Sequence, residues 1–244
     1  MFLSMLLLCG SQARAGGSDE SCPAVPVPAL SLPITRAALI AGRPITIVTL
    51  GSSSTAGVGA SSPEWTYPAL LEKALRAAWP DHRVKVINQG MGGQEADTME
   101  ARLEHDAIAA DPVLVIWQVG SNAALKHMPP DKFDHALSAG LDKLSMAGVD
   151  VVLMDSQQAP RIDAAPDHGL YDAATAQQAR QHRDSLFSRN ALMERWKQAG
   201  VQGLIGPDNL HHSDRGYACL ASVLAKAIID AADDHVSVAV EQRR

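Results

Sequence analysis

Four short strand-like runs rich in β-branched residues punctuate this chain, at positions 45–50, 83–87, 113–119 and 151–154. Each is followed by small or polar residues and then by a stretch with helical apolar spacing. After the first run, residues 67–79 place Leu70, Leu71, Ala74, Leu75 and Ala78 on one helical face. Further helices are expected over 98–110, 131–147, 173–181, 191–198 and 213–232, with a short fifth strand at 185–187. Strands that alternate with helices of ten or more residues build right-handed βαβ units, hence a parallel sheet with helices on both faces. Residues 113–119 (Val-Leu-Val-Ile-Trp-Gln-Val) are the most apolar run and so the central strand. In such a sheet every strand delivers its following loop to the same edge, so the residues after Leu50, Ile87, Val119 and Met154 converge on one cleft.

The first of these loops is Gly51-Ser52-Ser53-Ser54-Thr55-Ala56-Gly57. Glycine permits backbone angles that other residues avoid and leaves space above the strand end, so a serine there projects its hydroxyl into the cleft. On its own the stretch reads equally as a Ser/Gly-rich linker. Far downstream stands Asp208-Asn209-Leu210-His211. An Asp and a His three apart at the start of a helix can meet, the carboxylate holding one imidazole nitrogen and the other facing the cleft. A serine hydroxyl is a poor nucleophile until a base takes its proton. Ser53 is therefore the candidate nucleophile, His211 the base and Asp208 the orienting charge. Taken singly, His211 is a surface histidine beside His212, and Asp208 a loop carboxylate. Acyl transfer also needs donors for the oxyanion. The backbone N–H groups of Ser53 and Gly93 and the side-chain amide of Asn122 are the candidates. The plain alternatives are that Gly93 permits a turn and Asn122 caps a loop.

Together these spacings resemble the SGNH (GDSL-like) serine esterase/hydrolase superfamily. Gly51-Ser52-Ser53-Ser54-Thr55-Ala56-Gly57 is similar to its first block, Gly-Asp-Ser-x-x-x-Gly. Gly93 falls on the glycine of the second block, and Gly120-Ser121-Asn122-Ala123 resembles the third, Gly-x-Asn-Asp. Asp208 and His211 fall on the fifth, Asp-x-x-His. Two positions depart: Ser52 and Ala123 stand where the family has Asp, neither at a triad or oxyanion position. The resemblance covers residues 45–232. It implies a three-layer α/β/α sandwich with a five-stranded parallel sheet (a flavodoxin-like SGNH hydrolase fold), an acyl-serine intermediate, and no metal or organic cofactor.

The ends carry different information. Residues 1–9 are apolar and Ala13-Arg14-Ala15 is a small-x-small cleavage signal, so residues 1–15 are expected to be a signal peptide and the protein secreted or periplasmic. No positive charge precedes the apolar run. Residues 16–42 hold Pro23, Pro26, Pro28 and Pro33 and are expected to form an extended arm. Residues 43–233 form the hydrolase domain, and 234–244 a tail. Cys22 and Cys219 are expected to pair in an oxidising compartment.

The formal net charge of −6 over 244 residues does not suggest a nucleic-acid partner, and no transmembrane segment is expected in the mature chain. The long polar stretch 155–172 is expected to be a loop on the same edge as Ser53, with Gln157 and Arg161 binding a polar substrate. The expected function is a secreted serine esterase (carboxylesterase or carbohydrate acetylesterase type) acting on short acyl esters, acetyl above all, on an acylated glycan. An O-acetyltransferase, lipase or thioesterase of the same fold, a non-catalytic glycan-binding module, and a metal hydrolase using His211, His212 and Asp214 are the alternatives.

Overall fold

The computed structural model describes residues 22–233. The expected leader (1–15), the beginning of the arm and the tail (234–244) lie outside the described residues. Five strands, β1 (Ile45–Gly51), β2 (Val84–Gly90), β3 (Leu114–Gln118), β4 (Asp150–Met154) and β5 (Ser185–Phe187), form one sheet in the order β2-β1-β3-β4-β5. All pairings are parallel. Every residue of β3 and β4 is buried, as the apolar runs Leu114–Trp117 and Val151–Met154 require of strands covered on both faces.

Side chains alternate across the sheet, so Ile45 and Ile47 enter one core while Val48 and Leu50 enter the other. The first core is closed by α1 (Pro33–Ile40), α3 (Tyr67–Ala78), α10 (Arg189–Gln198) and α11 (Asp214–Ala232). The second is closed by α4 (Ala96–Ala101), α7 (Pro130–Ala147) and α9 (His168–His182). Short helices α2 (Ser53–Ala56), α5 (Leu103–Asp106), α6 (Ser121–Lys126) and α8 (Pro160–Asp163) complete the set. This is the expected α/β/α sandwich. The chain reverses direction across the sheet between β1 and β3, which is where such folds open a cleft at the carboxyl ends of the strands.

Four local expectations are corrected. Within the arm, residues 33–40 are helical and not extended, because Pro33 sits at the first helical position, where a missing N–H costs nothing. Free N–H groups of that end are taken by Asp150 of β4, Ile34 N at 3.2 Å and Thr35 N at 2.7 Å, and the Thr35 hydroxyl donates to the same carboxylate at 2.8 Å. β2 extends through Asn88, Gln89 and Gly90, which pair with Thr49, Leu50 and Gly51. The helix expected over 98–110 is broken between α4 and α5 at Arg102. The stretch 155–172 is not one loop: it contains α8 and the first residues of α9.

Cys22 is bonded to Cys219 of α11, with Cα atoms 5.4 Å apart. This ties the arm over α10 and α11, where Trp196 Nε1 donates to Pro23 O at 3.4 Å and Arg195 Nη1 to Pro26 O at 3.2 Å. Among the described residues, no helix is long and apolar enough to cross a membrane.

Candidate active site

β1 turns into α2 with no connecting loop. The turn depends on Gly51: a Cβ there would lie 2.1 Å from Thr55 Oγ1. Ser52 takes the extended backbone of a helix cap. Its N–H and its hydroxyl both donate to Gln118 Oε1 at the end of β3, at 3.0 and 2.9 Å, and Thr55 Oγ1 donates to the same oxygen at 3.3 Å. The backbone N–H can only donate, which fixes that amide oxygen as the acceptor. Ser52 in place of the family's Asp is thus suited to Gln118. Two donors meet an acceptor where a carboxylate would have set oxygen against oxygen. Ser53, the next residue, is half-buried at the start of α2.

Residues 205–212 fold back to meet it. Ile205 and His212 form an antiparallel bridge, and Asn209 turns the chain at φ 57°. Asp208 Oδ1 accepts from the N–H groups of Leu210 and His211, both at 3.0 Å. Its other oxygen lies 2.5 Å from His211 Nδ1, and His211 Nε2 lies 2.8 Å from Ser53 Oγ. Burial opposes the charge on Asp208, but the imidazole and the two N–H groups outweigh it and hold the carboxyl at about 2. Ionised, it can only accept, so Nδ1 carries the ring proton and Nε2 is free to accept from the serine hydroxyl. Carboxylate, imidazole and hydroxyl stand in line, an arrangement able to deprotonate an attacking serine.

His212 points the other way. Its ring is fully buried, 5.3 Å from the Tyr217 ring, and neither nitrogen has a hydrogen-bond partner. Burial, reinforced by the nearby Arg189 guanidinium, pushes its pKa down to about 3.

Gly93 and Asn122 meet at the same edge. Asn122 Nδ2 donates to Gln94 O at 2.8 Å, leaving its second amide hydrogen free, and Lys126 Nζ donates to Gly93 O at 2.5 Å. Gly93 has φ 76°, a backbone that favours glycine. Among the described residues, the N–H groups of Ser53 and Gly93 donate to no protein acceptor.

Arg102, which the sequence reading passed over, holds this loop. Its Nη2 donates to Gly51 O (3.3 Å) and Gln89 O (2.8 Å), its Nε to Gln94 Oε1 (2.6 Å), and its Nη1 pairs with Asp106 at 2.6 Å. One guanidinium thereby joins the ends of β1 and β2 to the residue after Gly93.

Gln157 does not face the cleft. It is buried, accepts from Ser121 Oγ at 2.8 Å and donates to Leu210 O at 3.2 Å, so it ties the ends of β3 and β4 to the Asp208 loop. Below it, the fully buried Arg189 donates to Asp155 O at 3.1 Å. Burial, with Asp172 nearby, lifts the Asp155 carboxyl to about 7. Arg161 is exposed on α8, its guanidinium has no partner among the described residues, and its N–H donates to Asn209 O at 3.1 Å.

Compared with known proteins, residues 22–234 match the sequence profile of the non-GDSL lipase-like family. The chain is similar to the esterase TesA of Pseudomonas aeruginosa, 28% identical over 174 residues, which are 68% of this chain and 79% of that protein. Among solved structures it is similar to a two-domain esterase (CEX) active on acetylated mannans, with TM-score 0.72, 22% identity and 84% of this chain covered. The chain spans about half of that protein, 55% of its length. It is also similar in fold to the acetyl xylan esterase AlAXEase, with TM-score 0.67 and 22% identity, over 76% of this chain and 100% of the other.

Proposed function

We propose, since the chain belongs to the non-GDSL lipase-like family of SGNH hydrolases and is an ester-cleaving serine hydrolase, that it removes short acyl groups, acetyl above all, from a glycan outside the cytoplasm. The observation that carries the site assignment is the hydrogen-bonded line from Ser53 Oγ through His211 to Asp208. Ser53 Oγ attacks the ester carbon while His211 Nε2 takes its proton. The oxyanion that forms is held by the N–H groups of Ser53 and Gly93 and the free amide hydrogen of Asn122. His211 returns the proton to the departing alcohol, leaving an acyl-serine. Water, deprotonated by the same nitrogen, then releases the carboxylic acid and restores the serine. Asp208, ionised throughout, stabilises the imidazolium of each step.

Ser53 and His211 are partly buried and not sealed from solvent, which is compatible with water as the acyl acceptor. The glycan reading is supported by the acetylated polymers named for the two esterases of similar fold. Of the two residues expected to bind substrate, Arg161 keeps that role, while Gln157 is committed to the scaffold. Export is supported by the Cys22–Cys219 bond, which persists in oxidising compartments.

The test is a panel of aryl esters of rising acyl length, together with acetate release from acetylated glycans. Ser53→Ala should lose at least about 10⁴-fold in kcat while remaining folded, and a fluorophosphonate should label Ser53. An adduct on Ser52 or Ser54, or an active Ser53→Ala variant, would overturn the assignment.

A further inference from the structure

The outer side of β2 borders two volumes that share a wall. The first, about 620 Å³, begins at Ala56 and Gly57, within one turn of Ser53 on α2, and is lined there by Ser61, Ser62 and Asn88. The second, about 700 Å³, continues along the strand to Arg76, His82, Arg83 and Lys85. Glu72 and Val86 line both. The result is a trough that runs along Val84–Asn88 of β2.

A free sheet edge usually invites another strand, but this one is blocked from within. Glu72 Oε2 accepts the N–H of Val86 at 2.6 Å, and Arg76 Nε donates to Val84 O at 3.0 Å. A peptide therefore finds these ladder groups taken. Glu72 and Arg76 also neutralise each other at 2.9 Å. Arg83 and Lys85 remain, exposed and with no partner among the described residues, alongside the half-buried His82. Asp81 is the acid next to them in sequence and does not line the trough. Unpaired cations concentrated in one trough stand out in a chain of net charge −6. The end of the trough that holds Ser61, Ser62 and Asn88 lies by the nucleophile's helix, and the cationic end lies away from it. An occupant bearing its ester at one end and anions along its length matches this order.

We propose that the trough binds the polymer portion of the substrate, and that this polymer is an anionic glycan with backbone carboxylates, an acylated polyuronate. The proposal rests on the glycan-ester reading above and adds the charge of the glycan to it. The ester-bearing unit lies at the Ala56–Ser62 end, and carboxylates of following units meet Arg83 and Lys85. Charge attraction of this kind raises association rates roughly 10- to 10³-fold and is lost with salt.

The experiment compares the full-length enzyme on 4-nitrophenyl acetate, acetylated polygalacturonate and acetylated neutral mannan. Arg83→Glu/Lys85→Glu serves as the variant and low and high salt as conditions. At low salt, kcat/KM on the acetylated polygalacturonate should exceed that on the mannan. It should fall about tenfold or more with the charge reversal and again in high salt. The aryl ester should be cleaved equally by both proteins, which shows that the variant is folded and its triad intact. Equal rates on the two polymers, or a polyuronate rate indifferent to salt and to the variant, overturns the anionic reading and leaves the glycan esterase standing. Cleavage of the aryl ester with acetate released from neither polymer overturns the glycan reading and this one with it. Ser53→Ala protein should also bind unacetylated polygalacturonate in calorimetry. Binding to phosphatidylglycerol vesicles without binding to that polymer would assign the trough to a lipid surface and refute the proposal.

Discussion

His212 should penalise folding in acid, and His212→Leu should remove the penalty. The ring is enclosed, unpartnered at both nitrogens and near a buried guanidinium, so its pKa is held at about 3, against about 6.5 in an unfolded chain. The folded value lies below the unfolded one. Above pH 6.5 neither state binds the proton and the group's contribution is fully present. As the pH falls the unfolded chain takes up the proton and the native state does not, so stability is lost progressively down to about pH 3. Each unit is worth about 1.4 kcal/mol, so the loss from pH 6.5 to pH 4 is on the order of 3 kcal/mol, roughly 6–12 °C in Tm for a chain of this size.

The wild-type curve alone hides this effect. Asp155, at about 7, and Asp184, at about 6, are both raised by burial. Each takes its proton in the native state before the unfolded one, so their contributions improve as the pH falls through the same window. Both carboxylates are present in the variant, and the difference between the two proteins isolates the histidine. Denaturant unfolding should therefore show His212→Leu gaining on the wild type by about 3 kcal/mol between pH 6.5 and pH 4. Near pH 7.5 the two should agree within about 1.5 kcal/mol, as for a swap of similar volume. Aryl acetate turnover should stay within a few-fold, because the imidazole facing Ser53 is that of His211. A difference that does not change with pH would refute the reasoning.

Arg102→Met should cost about 1–3 kcal/mol, since Gln89 O loses its side-chain donor while Asp106 keeps His105 Nδ1 and Gly51 O keeps the Met91 N–H. It should also lower kcat on a small ester more than it raises KM, because the loop bearing Gly93 loses its anchor; an unchanged kcat would detach Arg102 from the site. Reducing Cys22–Cys219, which closes a separation of 197 residues, should lower stability by about 4–5 kcal/mol, and an unmoved unfolding midpoint after confirmed reduction would contradict that. Gln157→Leu should lower kcat/KM on polymer and aryl ester alike, as befits a strut between Ser121 and Leu210. Arg161→Ala should lower it on the polymer only, and the reverse pattern would exchange the two roles.

The parts of this molecule legible in its sequence are those whose cause is local or is repeated along the chain. Ile45–Gly51, Leu114–Gln118 and Asp150–Met154 are mostly apolar because both their faces are covered, and that demand is written along each run. The site was legible for a related reason. A parallel sheet sends Ser53, Gly93 and Asn122 to one edge whatever the helices between them do, and Asp208 and His211 meet through a turn of their own. The 2.8 Å contact between Ser53 and His211 spans 158 residues, yet it follows from strand order plus one local motif.

Where the cause is distant and singular, the sequence is silent. α1 has no local N-cap, and the carboxylate that serves it lies 115 residues downstream, so its prolines read as a reason against helix. Arg102 looks like any surface helix cation until Gly51 O and Gln89 O are brought to it. Gln157 and Arg161 lie four positions apart in one polar stretch, and only the path of α8 turns one inward and the other to solvent. The same asymmetry separates His211 from its neighbour. The Asp three residues earlier marks His211 as the candidate base, while His212 is silenced by burial beside Tyr217 and by the nearby Arg189. Two adjacent histidines thus receive different surroundings, one held between Asp208 and Ser53 and the other enclosed. The one with a local partner could be named as a candidate before the fold was known, and the burial of the other is visible only in the fold.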